Sequence, residues 1–211
     1  MHTQTPSHYT TIVALFVAVL LISNITSTKI IDLWVVAWLP IVFDGGTLLF
    51  PLSYIFGDIL TEVYGYAKAK RAIRLWFICA TLLSVSIRVV WALPADPTRG
   101  LQDAYQSILG YAPRIVLASL IAYLIGEFAN AKIMSRMKWT TIGNEGLWKR
   151  ALWSTIVGQW LDTVVFVIVA FAWVLPRWVI GAIIATNYIF KVLIEVVLMP
   201  VTYRAVAYLR K

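Results

Sequence analysis

Six apolar stretches follow one another along this chain, each close to the length a helix needs to cross a lipid bilayer. A membrane-crossing helix needs about 20 mainly apolar residues to span about 30 Å of hydrocarbon. The stretches cover about residues 9–28, 47–64, 73–93, 115–137, 147–173 and 178–208. Little sequence remains for anything else. Of the 211 residues, 61% are hydrophobic and 13% charged, whereas soluble domains carry about 25% charged residues. That profile excludes a soluble enzyme, a disordered chain and a disulfide-stapled secreted domain. The expected fold is an all-α membrane protein, one integral membrane domain over residues 1–211 with six transmembrane helices. No Lys or Arg precedes the first stretch, which is also too long for a signal-peptide core, so no cleavable leader is expected.

Composition narrows the chemistry further. Cys79 is the lone cysteine, so neither an internal disulfide nor a multi-thiol metal site can form. His2 and His8 both precede the first apolar stretch, which leaves no histidine for a zinc site or catalytic triad inside the bundle. Ten Trp and ten Tyr suit the aromatic belts of membrane interfaces.

The net charge of +8 reads as orientation and not as nucleic-acid binding. Lys68, Lys70, Arg71, Arg74, Lys132, Arg136, Lys138, Lys149, Arg150, Arg204, Arg210 and Lys211 fall on one side of the six-span topology. Lys29, Arg99, Arg114 and Arg177 fall on the other. Cytoplasmic loops carry the excess of Lys and Arg, so both termini are expected in the cytoplasm. The segment Lys29–Gly46, KIIDLWVVAWLPIVFDGG, is broken by Pro40 and closed by Asp44-Gly45-Gly46. It reads as a short β-hairpin or re-entrant segment on the outer side between helices one and two.

Ionisable groups inside the spans carry the functional information. Each costs at least about 2.5 kcal/mol in hydrocarbon and so usually faces the bundle interior. Tyr54, Asp58 and Glu62 recur at i, i+4 and i+8, hence on one helix stripe. Ser119, Tyr123 and Glu127 repeat that spacing, as do Asn187, Lys191 and Glu195. Gln159, Asp162 and Phe166 recur at i, i+3 and i+7. At a rise of about 1.5 Å per residue, Asp162 lies about 22 Å into its span, Lys191 about 20 Å and Glu127 about 18 Å. An Asp162–Lys191 ion pair between adjacent antiparallel helices is expected. One deep lysine cannot neutralise every acid, and acids left over titrate or meet a ligand. Carboxylates and amides among aromatic faces suit a planar heterocycle with adjacent N–H and amino donors.

Several stretches together resemble the queuosine precursor transporter family, a branch of the vitamin uptake transporters. They are LISNITSTK (Leu21–Lys29), FPLSYIFGDILTEVYGY (Phe50–Tyr66) with the basic AKAKRAIRLW after it, and SLIAYL (Ser119–Leu124) with Glu127. STIVGQWLDTVVFVIVAF (Ser154–Phe171) and FKVLIEVVLMPVTY (Phe190–Tyr203) complete the set. The resemblance implies a six-helix carrier of the bacterial inner membrane, similar to the substrate-binding subunits of energy-coupling-factor transporters. It implies uptake of 7-cyano-7-deazaguanine, its 7-aminomethyl analogue or queuine for transfer-RNA modification, with no cofactor and no enzymatic step. Matched to its motifs are Asn24, Asp58, Glu62, Gln159, Asp162 and Lys191; position 127 varies between Gln and Glu. Asp162 and Gln159 are expected at the base's donors, Asp58 and Glu62 at gating or salt-bridging positions. Tyr54, Phe166 and Tyr188 offer faces for stacking, and Glu127, Asn187 and Glu195 complete the candidate site.

The expected partners are the small-molecule substrate and membrane lipid, with energy-coupling subunits or a second copy left open. No GxxxxGK[ST] loop occurs, so coupling by a proton, by a separate ATPase or by diffusion with trapping stays open. A carrier for another vitamin or nucleobase-like solute is the alternative. An intramembrane aspartyl hydrolase would carry GxGD, where this chain reads Tyr54-Ile55-Phe56-Gly57-Asp58. The charge asymmetry makes a direct prediction. A green fluorescent protein fused after Lys211 should fluoresce, and an alkaline phosphatase fused there should be inactive; the reverse pattern would overturn the orientation.

Overall fold

The computed structural model describes residues 6–33, 41–96, 98–138 and 147–209. They form helices α1 (Pro6–Thr26), α2 (Phe50–Tyr64), α3 (Tyr66–Ala92), α4 (Gln102–Leu109), α5 (Ala112–Lys138), α6 (Leu147–Phe171) and α7 (Arg177–Leu209). Between α1 and α2 lie strands β1 (Ile30–Leu33) and β2 (Ile41–Asp44), paired in a two-stranded sheet, and a 3-10 turn over Gly45–Leu48. The hairpin expected between the first two spans is present; residues 34–40 lie outside the described residues.

Among the described residues, four stretches are long and apolar enough to cross a membrane: His8–Thr26, Tyr66–Ala92, Gln102–Gly126 and Arg177–Leu209. Ile156–Phe171 is apolar but shorter. Helix α2 has 15 residues, about 22 Å at 1.5 Å per residue. The outward patterning points the same way. Leu75, Ile78, Leu82, Val85 and Val89 on α3 are all exposed, a continuous apolar face of the kind water-soluble monomers avoid and lipid accepts. The chain is a multi-pass membrane protein.

Two compact units divide the chain. The first holds α1, the 3-10 turn, α2 to α4, the start of α5 and the C-terminal part of α7 from Leu193. Its core is a stripe on α1 (Ile12, Val13, Phe16, Val17, Leu20) and one on α3 (Ala69, Ala72, Trp76, Ala80). Both follow helical spacing, and the alanines of α3 let neighbouring backbones approach closely around Trp76. The second unit takes in Leu117–Val192 and most of the hairpin. There, Phe43 of β2 stacks on Phe190 of α7 with centroids 6.3 Å apart.

One boundary differs from the sequence expectation, and one short helix was not expected. Span three was expected from residue 73 behind a basic connection; α3 starts at Tyr66, and Lys68, Lys70, Arg71 and Arg74 ride on its first turns. Ala, Lys and Arg are strong helix formers, so the basic segment coils instead of looping. Gly65 alone separates α2 from α3, at φ +84°, a left-handed conformation that glycine adopts without steric cost. Lys68 Nζ then lies 5.5 Å from the Tyr9 ring centroid and 5.6 Å from that of Tyr64. In the loop after α3, the short helix α4 is tied back by Gln102 Nε2 donating to the Trp91 carbonyl at 3.2 Å. Ahead of α4, Asp96 accepts from the Thr98 backbone N–H and hydroxyl, and those bonds hold its carboxyl below the usual carboxylate range.

The end of α1 is locked to the turn before α2 by one buried carboxylate. Asp44 caps the 3-10 turn, accepting from Gly46 N at 3.1 Å, from Thr47 Oγ1 at 3.0 Å and from the Ser27 hydroxyl. Ser23 Oγ donates to the Gly46 carbonyl at 2.9 Å. A Cβ on Gly46 would collide with the Ser27 hydroxyl and the Ser23 carbonyl, so glycine is required there for close approach. Asp44→Ala leaves buried donors unsatisfied and should cost at least about 2 kcal/mol. Its melting temperature in detergent should fall by several degrees; an unchanged melting temperature would contradict the lock.

Candidate functional site

Within the second unit, α6 and α7 bring two of the expected site residues into direct contact. Lys191 Nζ stands 2.9 Å from Asp162 Oδ2. The lysine side chain is 6% exposed and the aspartate 18%. The pair is therefore largely desolvated, but its carboxylate keeps an open side. Lys191 continues a buried stripe on α7 with Ile183 and Asn187, at i, i+4 and i+8. One turn away, the Tyr188 hydroxyl donates to the Ile156 carbonyl of α6 at 3.4 Å, a second tie between the same helices. Gln159 precedes Asp162 by about one turn and is half-buried. Phe166, one turn beyond, meets Phe171 edge-on with centroids 6.1 Å apart.

What this arrangement can do follows from the donor and acceptor inventory. A carboxylate accepts through two oxygens and about four lone-pair positions, and one ammonium does not exhaust them. Asp162 thus offers charge-assisted acceptance to N–H donors in a site of low dielectric, where such bonds are strong. Lys191 supplies a counter-charge to the acid at that depth, 2.9 Å away.

The first unit holds a separate set of expected residues. Asp58 and Glu62 share one stripe of α2, as expected, but both are exposed and do not pack into that unit's core. Glu195 of α7 is half-buried, and its charge acts on Asp58, which also feels Glu62. These three acids form one electrostatic cluster. Tyr54 stands one turn before Asp58 and meets Phe50 edge-on at 5.6 Å. Asn24 of α1 is 3% exposed, and its Nδ2 has no hydrogen-bond partner among the described residues. Such orphaned buried donors are rare and call for a water or ligand. Glu127 lies on α5; its side chain is outside the described residues.

Two residues that the sequence reading passed over stand beside the ion pair. Thr163 is fully buried next to Asp162, and its Oγ1 has no partner among the described residues. Gly126 of α5 lies so close to α6 that a Cβ there would sit 3.1 Å from Asp162 Cβ. The signal for Gly126 was present as the four-residue spacing Ala118, Ala122, Gly126.

A cleft of about 350 Å³ opens between α6 and α7, lined by Trp160, Gly181, Ile184, Ala185, Tyr188 and Ile189. It is almost wholly apolar, and Trp160 points about 200° around α6 from Asp162 at 100° per residue. It therefore suits a lipid chain better than a hydrogen-bonding solute.

Comparison with known proteins gives the arrangement its family. Residues 44–205 match the family described as "Putative vitamin uptake transporter". A Bacillus subtilis (strain 168) protein named "Probable queuosine precursor transporter" is 30% identical over 162 residues, covering 76% of this chain and 70% of the relative. The Escherichia coli (strain K12) "Queuosine precursor transporter" is 26% identical over 157 residues, 72% of this chain and 67% of its own. A Haemophilus influenzae relative, named like the Bacillus subtilis protein, is 25% identical over 167 residues, 76% of this chain and 67% of its own. No solved structure matches the chain significantly. These relatives are transporters and not enzymes, and by the matched span and the identity this chain belongs to the queuosine precursor transporter family.

Proposed function

We propose that the chain is a carrier of the bacterial inner membrane that imports a queuosine precursor, a 7-deazaguanine, for transfer-RNA modification. The observation that carries this reading is the Asp162–Lys191 pair with its partly open carboxylate, between α7, long and apolar enough to cross a membrane, and α6, whose apolar part is shorter. A 7-deazaguanine presents a ring N–H beside an exocyclic amino group. Asp162, aided by Gln159, accepts from that donor pair. Phe166 supplies a flat apolar face and Asn187 an amide on the lysine's own stripe, whereas Tyr188 lines the apolar cleft. Asp58, Glu62 and Glu195 form the acidic set for gating or salt bridging, with Tyr54 one turn before Asp58 on α2; Asn24 of α1 and, separately, Glu127 of α5 are the remaining candidates.

Six helices crossing the bilayer, with both termini cytoplasmic, complete the proposal. The charge asymmetry of Lys and Arg supports it, and so does the length of α6, 25 residues or about 37 Å. The shorter α2 spans with the 3-10 turn before it and modest local thinning of the bilayer. The family's printed description also favours one second reading, a vitamin or nucleobase-like cargo. Competition between such solutes and 7-cyano-7-deazaguanine separates the two.

Cells lacking this gene and their own 7-deazaguanine synthesis provide the test. With low external 7-cyano-7-deazaguanine, wild-type protein should restore queuosine in transfer RNA. Asp162→Asn, present at equal level in the membrane, should lower initial uptake at least about tenfold, the loss of one charge-assisted bond. Full uptake by that variant would remove Asp162 from the site.

The ion pair also predicts a split between stability and transport. Lys191→Met strands a buried carboxylate and should destabilise by about 3 kcal/mol, read as a fall in melting temperature. Adding Asp162→Asn should recover most of that loss, because two neutral groups need no pairing, while uptake stays absent. Recovery of uptake in the double variant would show that the pair serves stability alone.

A further inference from the structure

We infer that Gly126 on α5 is a positioning residue that sets where the Asp162 carboxylate stands. The inference rests on the reading of Asp162 as a substrate contact and extends it to a residue that does not touch substrate itself.

Ala118, Ala122 and Gly126 recur every four residues on α5 and are buried, the alanines at 0% and 1% exposure. Small residues at that spacing let helix backbones approach closely. At Gly126 the approach is at its limit. An added Cβ would lie 3.1 Å from Asp162 Cβ, 3.2 Å from the Gly158 carbonyl oxygen and 3.8 Å from Asp162 Cα. Carbon atoms rest comfortably at about 3.5–4.0 Å, so a methyl group there must displace something. The Gly158 oxygen is backbone of α6. Asp162 Cβ is fixed by that same backbone and leads to a carboxylate held by Lys191 at 2.9 Å. Neither neighbour is the loose end of a flexible side chain. Alanine at 126 therefore pushes α6 at Asp162 and shifts the carboxylate against Lys191.

Gly181 supplies the contrast. A Cβ there meets nothing within 4 Å, so Gly181→Ala is a helix-glycine substitution without the contact.

The experiment reads two quantities. In cells, Gly126→Ala should raise the KM for 7-cyano-7-deazaguanine about tenfold with maximal rate per membrane-inserted protein within about twofold, since a displaced contact weakens binding. Gly181→Ala should leave both unchanged. A Gly126→Ala variant with normal KM and reduced protein level would mean the glycine serves packing alone and would overturn the inference. In detergent, without any substrate, melting temperatures of Gly126→Ala, Asp162→Asn and the double variant form a cycle. The fall caused by Gly126→Ala should at least halve when the ion pair has been cut; strictly additive falls would overturn the inference. This second readout stands even if wild type takes up no 7-deazaguanine, a result that would sink the cargo assignment alone. If Gly126→Ala fails to accumulate, adding Asp162→Gly together with Lys191→Met, which removes the Cβ it meets without stranding the lysine's charge, should restore accumulation. Failure to restore it would also overturn the inference.

Discussion

Lys191 sits some thirteen residues into its span, and an ammonium alone at that depth is costly in hydrocarbon, by at least about 2.5 kcal/mol on insertion scales. The Asp162 carboxylate at 2.9 Å offsets that cost, and each charge makes the other tolerable. Much of the second unit is arranged around this pair. It fixes how α6 and α7 face one another, with the Tyr188–Ile156 bond one turn away. It requires α5 to pass close enough for Gly126 to touch Asp162. It leaves a carboxylate that is largely desolvated and open on one side, which favours strong recognition of N–H donors. Buried ion pairs are weak evidence for stability, because apolar replacements of similar volume often fold as well or better. Retaining one in a membrane bundle therefore points to a use beyond holding helices together.

The first unit solves a different problem. Its polar groups gather at the end of α1, where Asp44 receives three donors and Gly46 permits the chain to close against Ser23 and Ser27. This lock sets the entry into α2 and so the register of the stripe that carries Tyr54, Asp58 and Glu62. Those acids remain exposed within their unit. Exposed acids avoid lipid, so they face water or a neighbouring protein surface.

Much of this was legible in the sequence, for identifiable reasons. Apolar runs of about 20 residues specify membrane helices almost by length alone, and Asp44-Gly45-Gly46 after a β-rich run marked the hairpin. The Asp162–Lys191 contact followed from equal depth on antiparallel neighbours. Helix α4 was not legible, because its anchor is a side-chain bond from Gln102 to a distant carbonyl. The exposure of Asp58 and Glu62 was not legible either: periodicity places residues on one face but does not say what that face meets. Gly126 was missed for a third reason. A lone glycine in a helix reads as a weak point, and only the packed neighbour shows that its missing Cβ is the feature in use. The orphaned Nδ2 of Asn24 likewise appears only once burial is known.

The central claim is that the Asp162 carboxylate, held by Lys191, recognises the substrate. The most direct measurement is equilibrium binding of 7-cyano-7-deazaguanine to purified protein in lipid nanodiscs, by titration calorimetry, for wild type and Asp162→Asn. The account predicts saturable binding to wild type and at least about a tenfold higher Kd for the variant, with folding confirmed by circular dichroism. Equal Kd values for the two proteins would contradict it.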